Sequence, residues 1–300
     1  MEKFFNTAGA CIPSDHYTVS VEPHFASFKK LIDNKHYFIL HAPRQTGKTT
    51  LMLRLMEELN REGNYIALYV NVEGAQPLRN QVEAVNELLV SRFESMAEIT
   101  LPKEYKPSEH CFTIRSMQEG LQTFLSRWCL ELPKPLVVLM DEVDSLIGDG
   151  LISVLRQLRS GYTNRPHAFP HALCLIGLRD IRDYRIYSDS SKCYIVGGSA
   201  FNIKEKSIRL ANFTQAQVQE LYIQHTEATG QKFTEATLQQ IYELTQGQPW
   251  LVNALGRELC FEEQAIARTQ TITESDVNRA AEILIQRRDV HLDGTGSVQC

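Results

Sequence analysis

Nine consecutive residues set the narrowest limits on this fold: Ala42-Pro43-Arg44-Gln45-Thr46-Gly47-Lys48-Thr49-Thr50. They are entered from the apolar run Tyr37-Phe38-Ile39-Leu40 and left through Leu51-Met52-Leu53-Arg54-Leu55-Met56. The order is strand, A-x-x-x-x-G-K-T, helix, which is the layout of a phosphate-binding P-loop. Successive backbone N–H groups from Arg44 to Thr49 form an anion nest in such a turn, and the following helix adds the positive end of its dipole. In this pattern Lys48 reaches the β- and γ-phosphates, Thr49 ligates Mg²⁺ and Thr50 contacts the α-phosphate. Ala42 stands where the pattern usually has its first glycine; alanine is tolerated there if its φ is negative. A chance match in a chain of 300 residues arises on the order of a few per cent of the time. Chance rarely places the match between an apolar strand and a helix.

The remaining composition excludes several classes. The formal charge of −5 advertises no global basic field for nucleic acid. No apolar run approaches the length of a membrane span, and Met1-Glu2-Lys3-Phe4-Phe5 opens no signal-peptide core. Seven cysteines without a C-x-x-C pair read as reduced thiols of a cytoplasmic protein. Nine histidines show no H-E-x-x-H spacing, and no G-x-S-x-G elbow is present, so zinc and Ser-His-Asp chemistry are not expected.

Along the chain, strands alternate with helices up to about residue 210, which predicts a doubly wound α/β sheet. A short helix carries Phe25, Phe28, Leu31 and Ile32, and strands are expected at 37–40, 65–70, 135–140, 172–176 and 207–210. Helices are expected at about 76–97, up to Leu130 after a loop at 101–110, and from Leu151 to Gln157. Beyond Ala211-Asn212 the pattern is purely helical. Phe213-Thr214 with Gln217 and Val218, Phe233-Thr234 with Leu238, and Ile272-Thr273 with Asp276 and Val277 are helix-start signals. They predict helices near 214–228, 234–246, 249–262 and 274–288. The expected division is an N-terminal flanking segment (1–35), a P-loop α/β domain (36–211), a helical lid domain (212–290) and a frayed tail (291–300).

A second half of the site is legible at Leu136-Val137-Val138-Leu139-Met140-Asp141-Glu142. An aspartate at a strand tip holds Mg²⁺ through its water shell, and the neighbouring glutamate orients a water for attack on a γ-phosphate. Ligands in open α/β sheets bind outside the carboxyl ends of strands, where Ala42 and Asp141 both fall. Alone, such an Asp-Glu pair is as often a solvated strand end; its partnership with the P-loop favours function, and Glu142 favours hydrolysis over small-molecule kinase chemistry. The absence of N-K-x-D favours ATP over GTP. After the next strand, Gly177-Leu178-Arg179-Asp180 offers Arg179 as a γ-phosphate sensor; the alternative is a solvated arginine in a loop that also holds Arg182 and Arg185. In Gln246-Gly247-Gln248-Pro249-Trp250, Gly247 suits a helix end and Pro249 a helix start. That turn is either structural or packed over nucleotide.

The stretches H-A-P-R-Q-T-G-K-T-T, L-M-D-E-V-D, I-G-L-R-D and G-Q-P-W-L-V-N-A-L together resemble bacterial AAA-like ATPases, within the broader AAA+ and STAND-type group related to archaeal ATPases. The resemblance runs from Phe4-Phe5-Asn6-Thr7-Ala8-Gly9 to His291-Leu292-Asp293 and includes Gly198-Ser199-Ala200-Phe201-Asn202-Ile203. It implies a five-stranded core ordered 5-1-4-3-2 followed by a helical lid. It also implies Arg179 as sensor, Pro249 as the lid proline that contacts nucleotide, and Asp15-His16-Tyr17 beside the adenine. Many relatives continue past the H-L-D with a basic helical segment, where this sequence has Gly294-Thr295-Gly296-Ser297-Val298-Gln299-Cys300. Three functions stay open: a slow ATP-driven lid switch, an oligomeric loader or motor on DNA with Arg159 or Arg165 as a finger in trans, and a nucleotide-bound scaffold. The expected cofactors are ATP and Mg²⁺. The expected partners are ATP or ADP, an unidentified protein client and a homo-oligomer, with no membrane and no charge support for nucleic acid.

Overall fold

The structure is a computed structural model that describes residues 2–287. The expected tail at 291–300 and residue 288 of the last expected helix lie outside the described residues.

The chain divides into two compact units. One comprises Val21–Arg44 and Leu51–Leu210; the other gathers the residues up to Ser20, Gln45–Thr50 and the residues from Ala211 onward.

The first unit is built on β1 (Tyr37–His41), β2 (Ile66–Asn71), β3 (Leu136–Asp141), β4 (Ala172–Gly177) and an edge strand, Lys204–Arg209. A hairpin of β5 (Arg185–Ser188) and β6 (Cys193–Val196) precedes that edge strand, which is therefore β7. The sheet order is β2-β3-β4-β1-β7 with every pairing parallel, the expected 5-1-4-3-2 arrangement.

The apolar strands are continuous in sequence because both faces are covered. Their period-two alternation divides them between two cores. On one face Phe38, Leu40, Ala67, Val137, Leu139, Cys174 and Ile176 meet α1 (Glu22–Asp33) and α2 (Lys48–Glu62). On the other, Ile39, Leu68, Val70, Val138, Met140 and Leu175 meet α3 (Val82–Thr100), α4 (Gly120–Glu131) and α5 (Gly148–Gly161).

Three elements differ from the expectation. The helix expected from residue 76 begins instead at Val82, after a 3₁₀ turn at Glu73–Leu78. Pro77 has no N–H to give, and Arg79 has φ 44°, so the helix starts afresh beyond them. The fifth strand begins at Lys204, three residues before the apolar signal, because an edge strand tolerates Lys204, Glu205 and Lys206. The β5–β6 hairpin was not expected at all. Its inward Ile186 is buried while Tyr187 and Tyr194 are exposed across from each other, a mixture that reads as loop.

In the second unit, after a short helix α6 (Gly197–Ala200) closes the sheet unit's inventory, come α7 (Gln215–Thr229), α8 (Glu235–Thr245), α9 (Pro249–Cys260) and α10 (Glu274–Gln286). Thr214 with Gln217, and Thr273 with Asp276, form full capping boxes, and Thr234 caps Thr237 N–H at 3.0 Å. Between α8 and α9 two residues in succession are left-handed, Gln246 (φ 48°) and Gly247 (φ 67°). Glycine is required at 247 because a Cβ there would lie 1.9 Å from the Phe213 carbonyl oxygen. The core of this unit also takes in Phe5, Tyr17 and Val19 from the start of the chain.

Candidate functional site

In the sheet unit, three expected site elements reach one edge. Strands β3, β4 and β1 are parallel neighbours, so Asp141-Glu142, Leu178-Arg179 and Ala42 leave the sheet side by side at its carboxyl edge. Ala42 is buried, and its N–H still donates to the Gly177 carbonyl at 3.2 Å. The left-handed positions in the loop that follows are Gln45 (φ 56°) and Gly47 (φ 85°), not Ala42. The position that usually holds glycine therefore carries alanine without backbone strain. Pro43, Arg44 and Gln45 are exposed; Thr46 and Lys48 are buried; Gly47, Thr49 and Thr50 lie between these extremes.

Asp141 ends β3 with only 1% of its surface exposed. Its carboxylate is held from two sides: the Tyr69 hydroxyl donates to Oδ2 at 2.6 Å and the Glu142 N–H donates to Oδ1 at 2.8 Å. Glu142 itself is left-handed, with φ 59° and ψ 39°. A non-glycine residue there costs on the order of 1 kcal/mol or more, and such residues gather at functional sites. The turn is fixed by Ser145, whose hydroxyl lies 2.7 Å from the Glu142 carbonyl and 2.9 Å from the Val72 carbonyl and shares its one proton between them.

The other expected residues have separate surroundings. Arg179 is exposed. Arg159 donates to the Ser199 carbonyl at 3.1 Å. Arg165 lies over the Tyr162 ring at 3.3 Å and donates to the Tyr162 carbonyl at 2.7 Å. It also lies 5.0 Å from the ring of Tyr37, which opens β1, so it belongs to the amino edge of the sheet.

In the helical unit, Pro249 is the first residue of α9, with Gln248 as its cap; the Gln248 side chain accepts from Leu251 N–H at 2.6 Å. Of Asp15-His16-Tyr17, His16 and Tyr17 are buried within this unit. The Tyr17 hydroxyl meets His225 Nδ1 at 3.1 Å, and His16 Nδ1 accepts from Ile12 N–H at 2.9 Å. Burial pushes the Tyr17 hydroxyl up to about 12 and pushes His16 below its usual value. Earlier in this segment, the Cys11 N–H donates to Thr50 Oγ1 at 3.0 Å. Trp250 Nε1 donates to the Thr7 carbonyl at 2.9 Å. Tyr69 and Cys11 were not singled out by sequence reasoning; for Tyr69, a polar-tipped ring inside an apolar strand was the signal on offer.

A G-K-T loop between β1 and α2, an Asp-Glu pair at the tip of β3, and a parallel sheet ordered β2-β3-β4-β1-β7 define a P-loop NTPase fold. The profile of the AAA-like domain family matches residues 26–281, and the chain belongs to that family. Its fold is similar to that of the Walker-type ATPase PABY2304 of Pyrococcus abyssi, with a TM-score of 0.61 and 14% identity, covering 97% of this chain and 79% of that one. It is also similar to Cdc6p from Pyrobaculum aerophilum, with a TM-score of 0.56 and 17% identity, covering 87% of this chain and 66% of that one. At these identities the likeness concerns the fold. No curated protein matches the sequence. Among the described residues no helix is long and apolar enough to cross a membrane.

Proposed function

We propose that the protein binds ATP with Mg²⁺ and hydrolyses it slowly, using the nucleotide to bias the conformation of its helical unit as a lid. The observation that supports this reading is that β1, which leads into the P-loop sequence, and β3, which ends at Asp141-Glu142, are parallel strands of one sheet with their carboxyl ends at the same edge. The residues fit the group: Asp141 and Thr49 are hard oxygen donors suited to Mg²⁺, and Lys48 opens α2 where a phosphate is favoured. When bound, ATP–Mg²⁺ supplies the γ-phosphoryl group and the charge that the loop recognises. Lys48 binds the phosphates, backbone N–H groups of 44–49 orient them, Thr49 and Asp141 hold the cation, and Glu142 takes a proton from the attacking water. Arg179 contacts the terminal phosphate, and Pro249 carries the lid's response. The lid shifts only by the difference in ATP affinity between its two states.

The test pairs two variants. Lys48→Ala should lose ATP binding in titration with a fluorescent ATP analogue. Glu142→Gln should bind as the parent does while turnover falls by roughly 10²–10⁴. Parent-level turnover in Glu142→Gln removes the hydrolytic assignment, and parent-level binding in Lys48→Ala removes the phosphate cradle. Specific activity should stay flat across protein concentration and with added duplex DNA; a rise with concentration points instead to an arginine supplied in trans.

A further inference from the structure

The acidic residue three beyond Asp141 does something the Asp-Glu pair does not. Asp144 lies in the 3₁₀ turn Val143–Ser145, yet its carboxylate reaches the segment after β4. Leu178 N–H donates to Oδ2 at 2.5 Å, and the Tyr184 hydroxyl donates to Oδ1. Gly177 admits the approach, since a Cβ there would lie 2.3 Å from Asp144 Oδ2. On the far side of Arg179, Asp180 is buried and ion-paired with Lys204, the first residue of β7, with the two side chains 6% and 11% exposed. Ile181 then enters the core, against Gly197 of α6. The residue before Arg179 is thus tied to the turn that follows the Asp-Glu pair, and the residue after it is tied to the sheet. Arg179 itself is exposed between two anchored neighbours.

We propose that Asp144 and the Asp180–Lys204 pair are positioning residues that hold Arg179 at the carboxyl edge of the sheet, so that its reach is set by the turn bearing Glu142. The claim rests on the reading of Arg179 as a phosphate sensor. A buried ion pair is a poor stabiliser on average, because desolvation offsets its attraction, but it fixes geometry well. A carboxylate that accepts two hydrogen bonds from one loop does the same.

The experiment compares the full-length chain with Asp144→Ala, Asp144→Asn, Arg179→Ala and the double variant Asp144→Ala/Arg179→Ala. Amide hydrogen exchange is read on the nucleotide-free proteins, and the ratio of ATP to ADP affinity is read by titration. Asp144→Ala should speed exchange at the Leu178 amide by roughly tenfold or more. Asp144→Asn keeps a carbonyl acceptor and should restore much of the protection, which also answers a variant that folds poorly. Discrimination should fall in Asp144→Ala and in Arg179→Ala, and the double variant should lose no more than Arg179→Ala alone, as residues acting through one another do. Unchanged exchange at Leu178, or fully additive losses, overturns the proposal. If Arg179→Ala keeps the parent's ATP/ADP ratio, the sensor reading fails, and the exchange data still decide whether Asp144 holds the loop.

Discussion

Removing one hydroxyl group, in Tyr69→Phe, tests how firmly the Asp141 carboxylate is held inside the sheet. Tyr69 lies on β2, 6% exposed, and donates at 2.6 Å to an aspartate that is 1% exposed. A hydrogen bond to a charged group contributes about 1.5–3 kcal/mol net, against about 0.5–1.5 for a neutral pair. The ring stays, so packing is nearly unchanged, and Tyr69→Phe should cost about 1.5–3 kcal/mol. In an Asp141→Asn background the partner is neutral and the same change should cost only about 0.5–1.5 kcal/mol. The assay is urea unfolding at neutral pH without nucleotide. Trp128, buried in the sheet unit, serves as reporter, with Trp250→Phe removing the other tryptophan. Equal costs in the two backgrounds, or a cost below about 0.5 kcal/mol in the parent, would refute the idea that the tyrosine hydroxyl holds the Asp141 carboxylate.

Phe5→Ala should destabilise the helical unit by roughly 3–5 kcal/mol. The ring is fully buried, with the rings of Tyr17 and Tyr222 both at 4.9 Å; urea unfolding of the Trp128→Phe protein, followed by Trp250 fluorescence, measures it, and a loss below about 1 kcal/mol contradicts the placement. Stability should also fall on mild acidification. Burial pushes His225 and His171 below their usual values, although bonds to Gln231 and to the Ile32 carbonyl act the other way. Below about pH 6.5 the unfolded chain therefore binds protons that the folded chain refuses, and stability drops by up to about 1.4 kcal/mol per pH unit for each histidine. Unfolding curves at pH 7.5, 6.5 and 5.5 test this, and a stability that rises on acidification counts against it.

The central strands were legible because each is covered on both faces: Phe38-Ile39-Leu40, Leu136 to Met140 and Leu173 to Ile176 leave no room for a polar residue and no ambiguity of period. The capped helices after Phe213 were legible for a different reason, since Thr214 and Thr273 satisfy backbone donors within their own first turns. Legibility failed where neighbours distant in sequence decide. Strand β7 is polar because an edge needs only one partner, β1. Phe5 and Tyr17 read as loop residues, yet Phe5 packs on Gly256, where a Cβ would come within 2.7 Å of its ring.

The site divides in the same way. The residues proposed to touch nucleotide are written in short spacings, because a loop that wraps phosphate must be contiguous and a metal-holding aspartate must sit at a strand tip. The residues that orient them obey no spacing. Tyr69 reaches Asp141 across the β2–β3 pairing, and Asp144 reaches Leu178 only because β4 is β3's other neighbour and Gly177 lacks a side chain. Sheet order, which no local pattern encodes, is what converts D-E-V-D from one motif into two devices. Its first acid is held by the strand on one side, and its last acid holds the loop on the other. A swap of Asp144 to a residue without a side-chain acceptor, such as Asp144→Ala, should free the Leu178 side of the loop that carries Arg179 while the Asp180–Lys204 pair still holds the other.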